Sequence, residues 1–89
     1  MRAVITVVGH DKIGIIADVS RVLAEHKVNI LDISQTIMQD FFTMIMLVET
    51  KEATASFKEL STMLEKLGEE RGLSIHIQHE DLFQSMHRI

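Results

Sequence analysis

The order of hydrophobic periods in this 89-residue chain predicts an α+β fold: a ferredoxin-like βαββαβ sandwich with an antiparallel sheet in the spatial order 4-1-3-2. Two helices are expected on one face, with a short helix added at the C-terminal end. Two observations carry the prediction. Segments of helical period fall between the first and second strand candidates and between the third and fourth. The first and third strands are apolar on both faces, which suits the centre of a sheet, whereas the second and fourth are polar on one side, which suits its edges.

Ala3-Val4-Ile5-Thr6-Val7-Val8 is the first strand, β-branched and buried from two sides. It runs into Gly9-His10-Asp11-Lys12-Ile13-Gly14-Ile15, the stretch on which the chain is organised. A strand feeding a helix through a short glycine-containing loop leaves backbone N–H groups and the positive dipole end facing whatever enters, a geometry that suits a small anion. Asp11 is placed to be the helix N-cap, and Gly14 then falls in the first turn, where glycine is unfavourable by about 0.8 to 1 kcal/mol and implies close packing or room for a ligand. A plain strand-to-helix turn is the competing account. Gly9 and Gly14 also have phosphate-loop spacing, but Ile15-Ile16 stand where a Lys-Ser/Thr pair would have to grip phosphate and magnesium, which excludes that motif.

The first helix is expected over residues 12–27, with Ile15, Ile16, Val19, Val22 and Leu23 inward and Asp18, Arg21 and Glu25 outward. Residues 28–38 form the second strand, with Leu31, Ile33 and Ile37 on one face and Asp32, Ser34 and Thr36 on the other. Gln39-Asp40 makes a hairpin turn, Asp tolerating the left-handed conformation. Residues 41–48 form the third strand. Phe57, Leu60, Met63, Leu64 and Leu67 mark a second helix closing near Arg71, with Gly72 beyond its last turn. Leu73, Ile75 and Ile77 alternate with Ser74, His76 and Gln78 in the fourth strand. This gives one domain over residues 1–79 and an amphipathic helix over 80–89, where Glu80-Asp81 open and His87-Arg88 close a segment carrying Leu82, Phe83, Met86 and Ile89. Helices cover only one face of such a sheet, so the bare face predicts a homodimer, with the C-terminal helix packed across it or docking another protein.

Composition narrows the function. The chain has no Trp, Tyr, Cys or Pro, so its core is aliphatic with six Met and four Phe, and Met packs adaptably at self-association surfaces. The lack of Cys excludes thiol chemistry and a disulfide scaffold and is compatible with the cytoplasm. A net charge of −4 with scattered Lys and Arg argues against direct nucleic-acid binding, and no stretch is long enough to span a membrane.

Asp11-x-x-Gly14-Ile15 at the first helix, and Val28-Asn29-Ile30 opening the second strand after Leu23-Ala24-Glu25, resemble the ACT domain over nearly the whole chain. More closely, the chain is similar to small free-standing bacterial ACT proteins and to the N-terminal half of the glycine cleavage system transcriptional repressor. The resemblance implies a non-enzymatic regulatory protein that binds a small amino acid at a homodimer interface, between the first loop of one subunit and the start of the second strand of its neighbour. Carried onto this chain, it places Asp11 and Gly14 on the loop and Asn29 and Ile30 on the facing strand. Helix N–H groups can take a carboxylate, and the Asn29 side chain can take an ammonium group. The charge on Asp11 pairs with an ammonium or repels a carboxylate, leaving the ligand's orientation open. Asn29 has a competing role in the turn after the first helix. Ile13, Ile15 and Ile30 would line a cleft for a small or aliphatic ligand, such as glycine, serine or a branched amino acid.

His10 is a candidate ligand contact or pH-sensitive group, or an ordinary loop histidine. His76 and His79-Glu80 converge on a metal only if the fourth strand has ended, and neither metal nor cofactor is expected. No nucleophile with an orienting partner stands near Asp18 or Asp32, so no enzyme activity is expected. The partner regulated in trans would be a transcription factor or a metabolic enzyme. The alternative function is a ligand-free interaction module docking through the C-terminal helix.

Overall fold

The computed structural model describes residues 1–10 and 13–86. Asp11, Lys12, His87, Arg88 and Ile89 lie outside them. The elements are β1 (Arg2–Gly9), α1 (Ile15–Glu25), β2 (Asn29–Met38), β3 (Phe41–Glu49), α2 (Phe57–Arg71), β4 (Ser74–His79) and α3 (Glu80–Met86). The sheet runs β2-β3-β1-β4, every pair antiparallel, so the predicted order is the observed one. The central strands are the two with both faces apolar.

Register fixes which side chains share a face. Ile5 stands between Met46 of β3 and Ile77 of β4, and Val7 stands between Met44 and Ile75. These residues are buried, and the stripe of Ile15, Val19 and Leu23 from α1 and Leu60 and Leu64 from α2 closes over them. Ile16 and Val22 of the predicted stripe are less buried than these three, Ile16 being exposed and Val22 only flanking the core. Burying a side chain of this size stabilises by about 1.5 to 3 kcal/mol before conformational entropy is charged.

α1 is shorter than its apolar pattern suggests because both its ends turn left-handed. Gly14, at φ 75°, is the N-cap and not a first-turn residue, and among the described residues no side chain caps the helix there. At the other end Lys27, at φ 57°, donates to Ala24 and Val28 donates to Leu23, which closes the helix. Asn29 therefore opens β2 and has no part in the helix-ending turn. β2 carries a bulge between Ile30 and Asp32; beyond it Ile33 and Ile37 oppose Met46 and Phe42, while Asp32, Ser34 and Thr36 oppose Leu47, Ile45 and Thr43. In the β2–β3 hairpin the left-handed residue is Gln39, not Asp40.

α2 has the firmest ends. Glu59 N–H donates to Ser56 Oγ at 3.1 Å and Ser56 N–H donates to Glu59 Oε1 at 2.9 Å, a reciprocal box. The Ser-x-x-Glu spelling of that box was there to be read in the sequence. Gly72 closes the helix at φ 70° as expected, and Leu73 N–H donates to Gly68 O at 2.7 Å. Glu59 is held below the ordinary carboxylate range by the Ser56 N–H and hydroxyl.

α3 departs from the expectation. It folds back across the second face of its own sheet, over β1 and β4, anchored by Arg2 to Glu80 at 3.0 Å and by Gln78 to the Met86 sulfur at 3.7 Å. Val4, on that face, is buried as a result. The second face is thus partly covered within one chain, and it is not the wholly bare surface from which the homodimer was inferred.

Candidate functional site

The β1–α1 loop, the β2–β3 hairpin and the C-terminal end of α2 meet at one end of the molecule. Gly9 pairs with Phe42, so antiparallel register sets the start of the loop beside the hairpin. His10 packs against Phe41 with ring centroids 4.6 Å apart, and its Nδ1 lies 3.9 Å from Asp40 Oδ2. A cleft of about 390 Å³ opens here, lined by His10, Ile13, Ile37, Gln39, Asp40, Phe41 and Phe42. Ile13 is 78% exposed at its mouth. The hairpin's share of this wall was not read from the sequence, although the strand order 4-1-3-2 already places the end of the first strand beside the start of the third.

At the head of α1, Asp18 turns inward, contrary to the outward placement expected of it. It is 8% exposed and ion-paired to Arg71, the last residue of α2, with Arg21 also within 3.3 Å. A carboxylate in the first turn is favoured by the helix dipole, and burial requires a cationic partner. Ile15 is buried in the core and adds no surface to a cleft, unlike Ile13. Asp11 lies outside the described residues.

Asn29 and Ile30 stand at the opposite end. Asn29 pairs with Glu49, which pairs with Arg2, and a second cleft of about 380 Å³ is bounded by Lys27, Asn29, Glu49 and Lys51 among others. The N-terminal ammonium, 2.6 Å from Glu49 Oε2, holds that carboxyl below its usual range. About nine strand steps of about 3.3 Å, or roughly 30 Å, separate Asn29 from the loop end of β2. The structure therefore brings His10, Ile13 and Gly14 together at one end, and leaves Asn29 and Ile30 at the other. His76 and His79 point to opposite faces of the sheet: His76 Nε2 meets Ser74 Oγ at 2.9 Å and His79 stacks on Phe57 at 4.3 Å.

An antiparallel split-βαβ sheet with two helices on one face, a free edge strand and a short loop feeding a helix head defines a small ferredoxin-like α+β domain. The ACT-domain family model matches residues 2–78, and the chain belongs to that family. It is 58% identical over 86 residues to a UPF0237 protein of Methanococcus maripaludis, covering 97% of this chain and 96% of that one. Among solved structures, an ACT domain protein from Streptococcus pneumoniae is 43% identical, with a TM-score of 0.81 and 94% of each chain covered. A putative glycine cleavage system transcriptional repressor superposes with a TM-score of 0.73 at 28% identity, over 86% of this chain and 44% of that one. ACT domains are regulatory, commonly dimerise and often sense amino acids. Relatives occur in both bacteria and archaea, a wider range than the bacterial family first inferred.

Proposed function

We propose that this chain is a non-enzymatic, homodimeric amino-acid sensor that modulates a transcription factor or metabolic enzyme in trans. The observation that carries it is the free edge of β2. Among the described residues its outer edge has no strand partner, the Ile33 N–H donating to Asp32 Oδ1 at 2.9 Å, and it exposes Leu31, Ile33, Ile37 and Met38, the last at 69%. A long apolar edge is a template for strand pairing. If two copies pair β2 to β2 antiparallel about a two-fold axis, the loop end of one strand lies beside the Asn29 end of the other. The two half-sites, roughly 30 Å apart in one chain, then become one site. Residues 13–16 and any loop N–H groups take the ligand carboxylate, Asn29 and nearby carbonyls of the second copy take the ammonium, and Ile13 and Ile30 meet its side chain.

The test is a thermal-shift series against the twenty amino acids at about 10 mM, a concentration that saturates micromolar-to-millimolar sites. At least one should raise Tm in the wild type and fail to do so in Asn29→Ala. No response from any of them removes the sensing function. A second reading, docking of a partner through α3, is favoured by the exposure of Leu82 and Met86 on that helix. The double substitution L82K/M86K separates the two, since a sensor keeps its amino-acid response and a docking module loses its partner.

A further inference from the structure

Asp18 has two arginines where one would neutralise it. Arg21 comes from one turn further along α1, 3.3 Å away, and is 62% exposed at its side chain; Arg71 reaches across from α2. Charge balance for the buried carboxylate is met by either. Their second neighbours differ: Arg21 turns to Glu25, 3.7 Å away on its own helix, whereas the Arg71 Nη2 lies 3.4 Å, and its Nη1 3.8 Å, from the point where a Cβ on Gly14 would stand. The guanidinium thus roofs the left-handed N-cap of α1 while gripping the first turn through Asp18. Its own backbone is fixed, because Gly72 and Leu73 close α2 immediately behind it. The planar fork of Arg can hold a carboxylate on one edge and lie against backbone on another, which a Lys ammonium cannot do.

We propose that Arg71 is a positioning residue for Gly14 and the head of α1, holding them in the ligand-receiving conformation, and that Arg21 has no part in this, pairing with Asp18 and Glu25 along α1. This rests on the amino-acid-sensing function for its ligand arm, and not for its backbone arm. The full chain is compared as wild type, R71M and R21M. The last two each remove one cation from Asp18; R71M alone removes the group beside Gly14, and R21M also frees Glu25. Amide hydrogen exchange is read at Asp18, whose N–H donates to Gly14 O at 2.9 Å, and in β1 and β3. In R71M, exchange at the Asp18 amide should rise by about tenfold or more while the strands are unchanged, and in R21M neither should move. Stabilisation by glycine, L-serine and L-valine at about 10 mM should fall in R71M and persist in R21M.

Equal exchange at the Asp18 amide in R71M and R21M overturns the proposal, as does an undiminished amino-acid response in R71M. A wild type that answers none of the three amino acids counts against sensing, and the exchange comparison then decides the role of Arg71 alone. Should R71M fail to fold, R71K keeps a cation on Asp18 without the fork. It should retain Tm and still show fast exchange at the Asp18 amide; protection equal to wild type would overturn the assignment.

Discussion

Replacing Gly68 by Ala sets local propensity against tertiary packing, and the two have opposite signs. In the interior of α2, glycine is about 0.8 to 1 kcal/mol worse than alanine, so propensity alone predicts that G68A stabilises. Gly68 is also where α2 lies against the turn into β4. A Cβ there would stand 2.7 Å from the Leu73 carbonyl oxygen, 3.3 Å from Ile75 Cγ1 and 3.4 Å from Ile75 N. The nearest atom is backbone, and Leu73 is pinned by its own N–H donated to Gly68 O, so neither side can yield by a rotamer change. Overpacking of this kind costs about 1 to 3 kcal/mol, with backbone clashes at the upper end, leaving a net loss of about 1 to 2 kcal/mol. For a domain of this size each 1 kcal/mol moves Tm by about 4 to 8 °C. Thermal melts followed by far-UV circular dichroism at one fixed protomer concentration measure it, with G72A as the comparison. Gly72 has nothing within 4 Å of its Cβ position, so its substitution carries only the left-handed penalty of roughly 1 to 2 kcal/mol. A G68A protein melting at or above the wild type would refute the steric argument.

Gly14→Ala should lose about 1 to 2 kcal/mol by equilibrium urea unfolding, from its φ of 75°. Ser56→Ala removes the N-cap acceptor of α2 and should lower stability by about 1 kcal/mol in the same assay. Because Glu49 and Glu59 have folded pKa values below their ordinary value, their contributions are complete above pH of about 4.5 and are lost as pH falls through the folded values. Tm should therefore drop on acidification through that range, and E49Q/E59Q should flatten the drop. Ile33→Lys with Ile37→Lys charges the free edge at two exposed positions, so light scattering should report monomers that keep the wild-type circular dichroism spectrum. A persistent dimer would place the interface elsewhere.

Much of the fold was legible because each strand's two-residue period states how many of its faces are covered. Phe42, Met44, Met46 and Val48 alternating with Phe41, Thr43, Ile45 and Leu47 could only suit a central strand. Gly72 after Arg71 marked the end of α2 for the reason that a left-handed residue was needed there. The site was less legible. Asp18 stands at i+3 from Ile15 and i−4 from Val22, inside the apolar stripe, so its burial could have been read from the helical wheel. Its partner could not, since Arg71 lies 53 residues away and reaches it only because α1 and α2 share a sheet face. Asp40 and Phe41 joined the loop cleft through strand pairing, which no local pattern states.

By itself the sequence determined the element order, the central and edge strands, the face of α2 and that of α1 apart from Ile16 and Asp18, because period and apolarity are local properties that water reads directly. Tertiary structure alone decided that α3 covers β1 and β4 of its own sheet, that Arg71 reaches Gly14, and that His10 packs on Phe41 of the hairpin. Each of those depends on where two separately formed elements are brought together. That is set by packing over the whole core and by no residue's own neighbours in the chain.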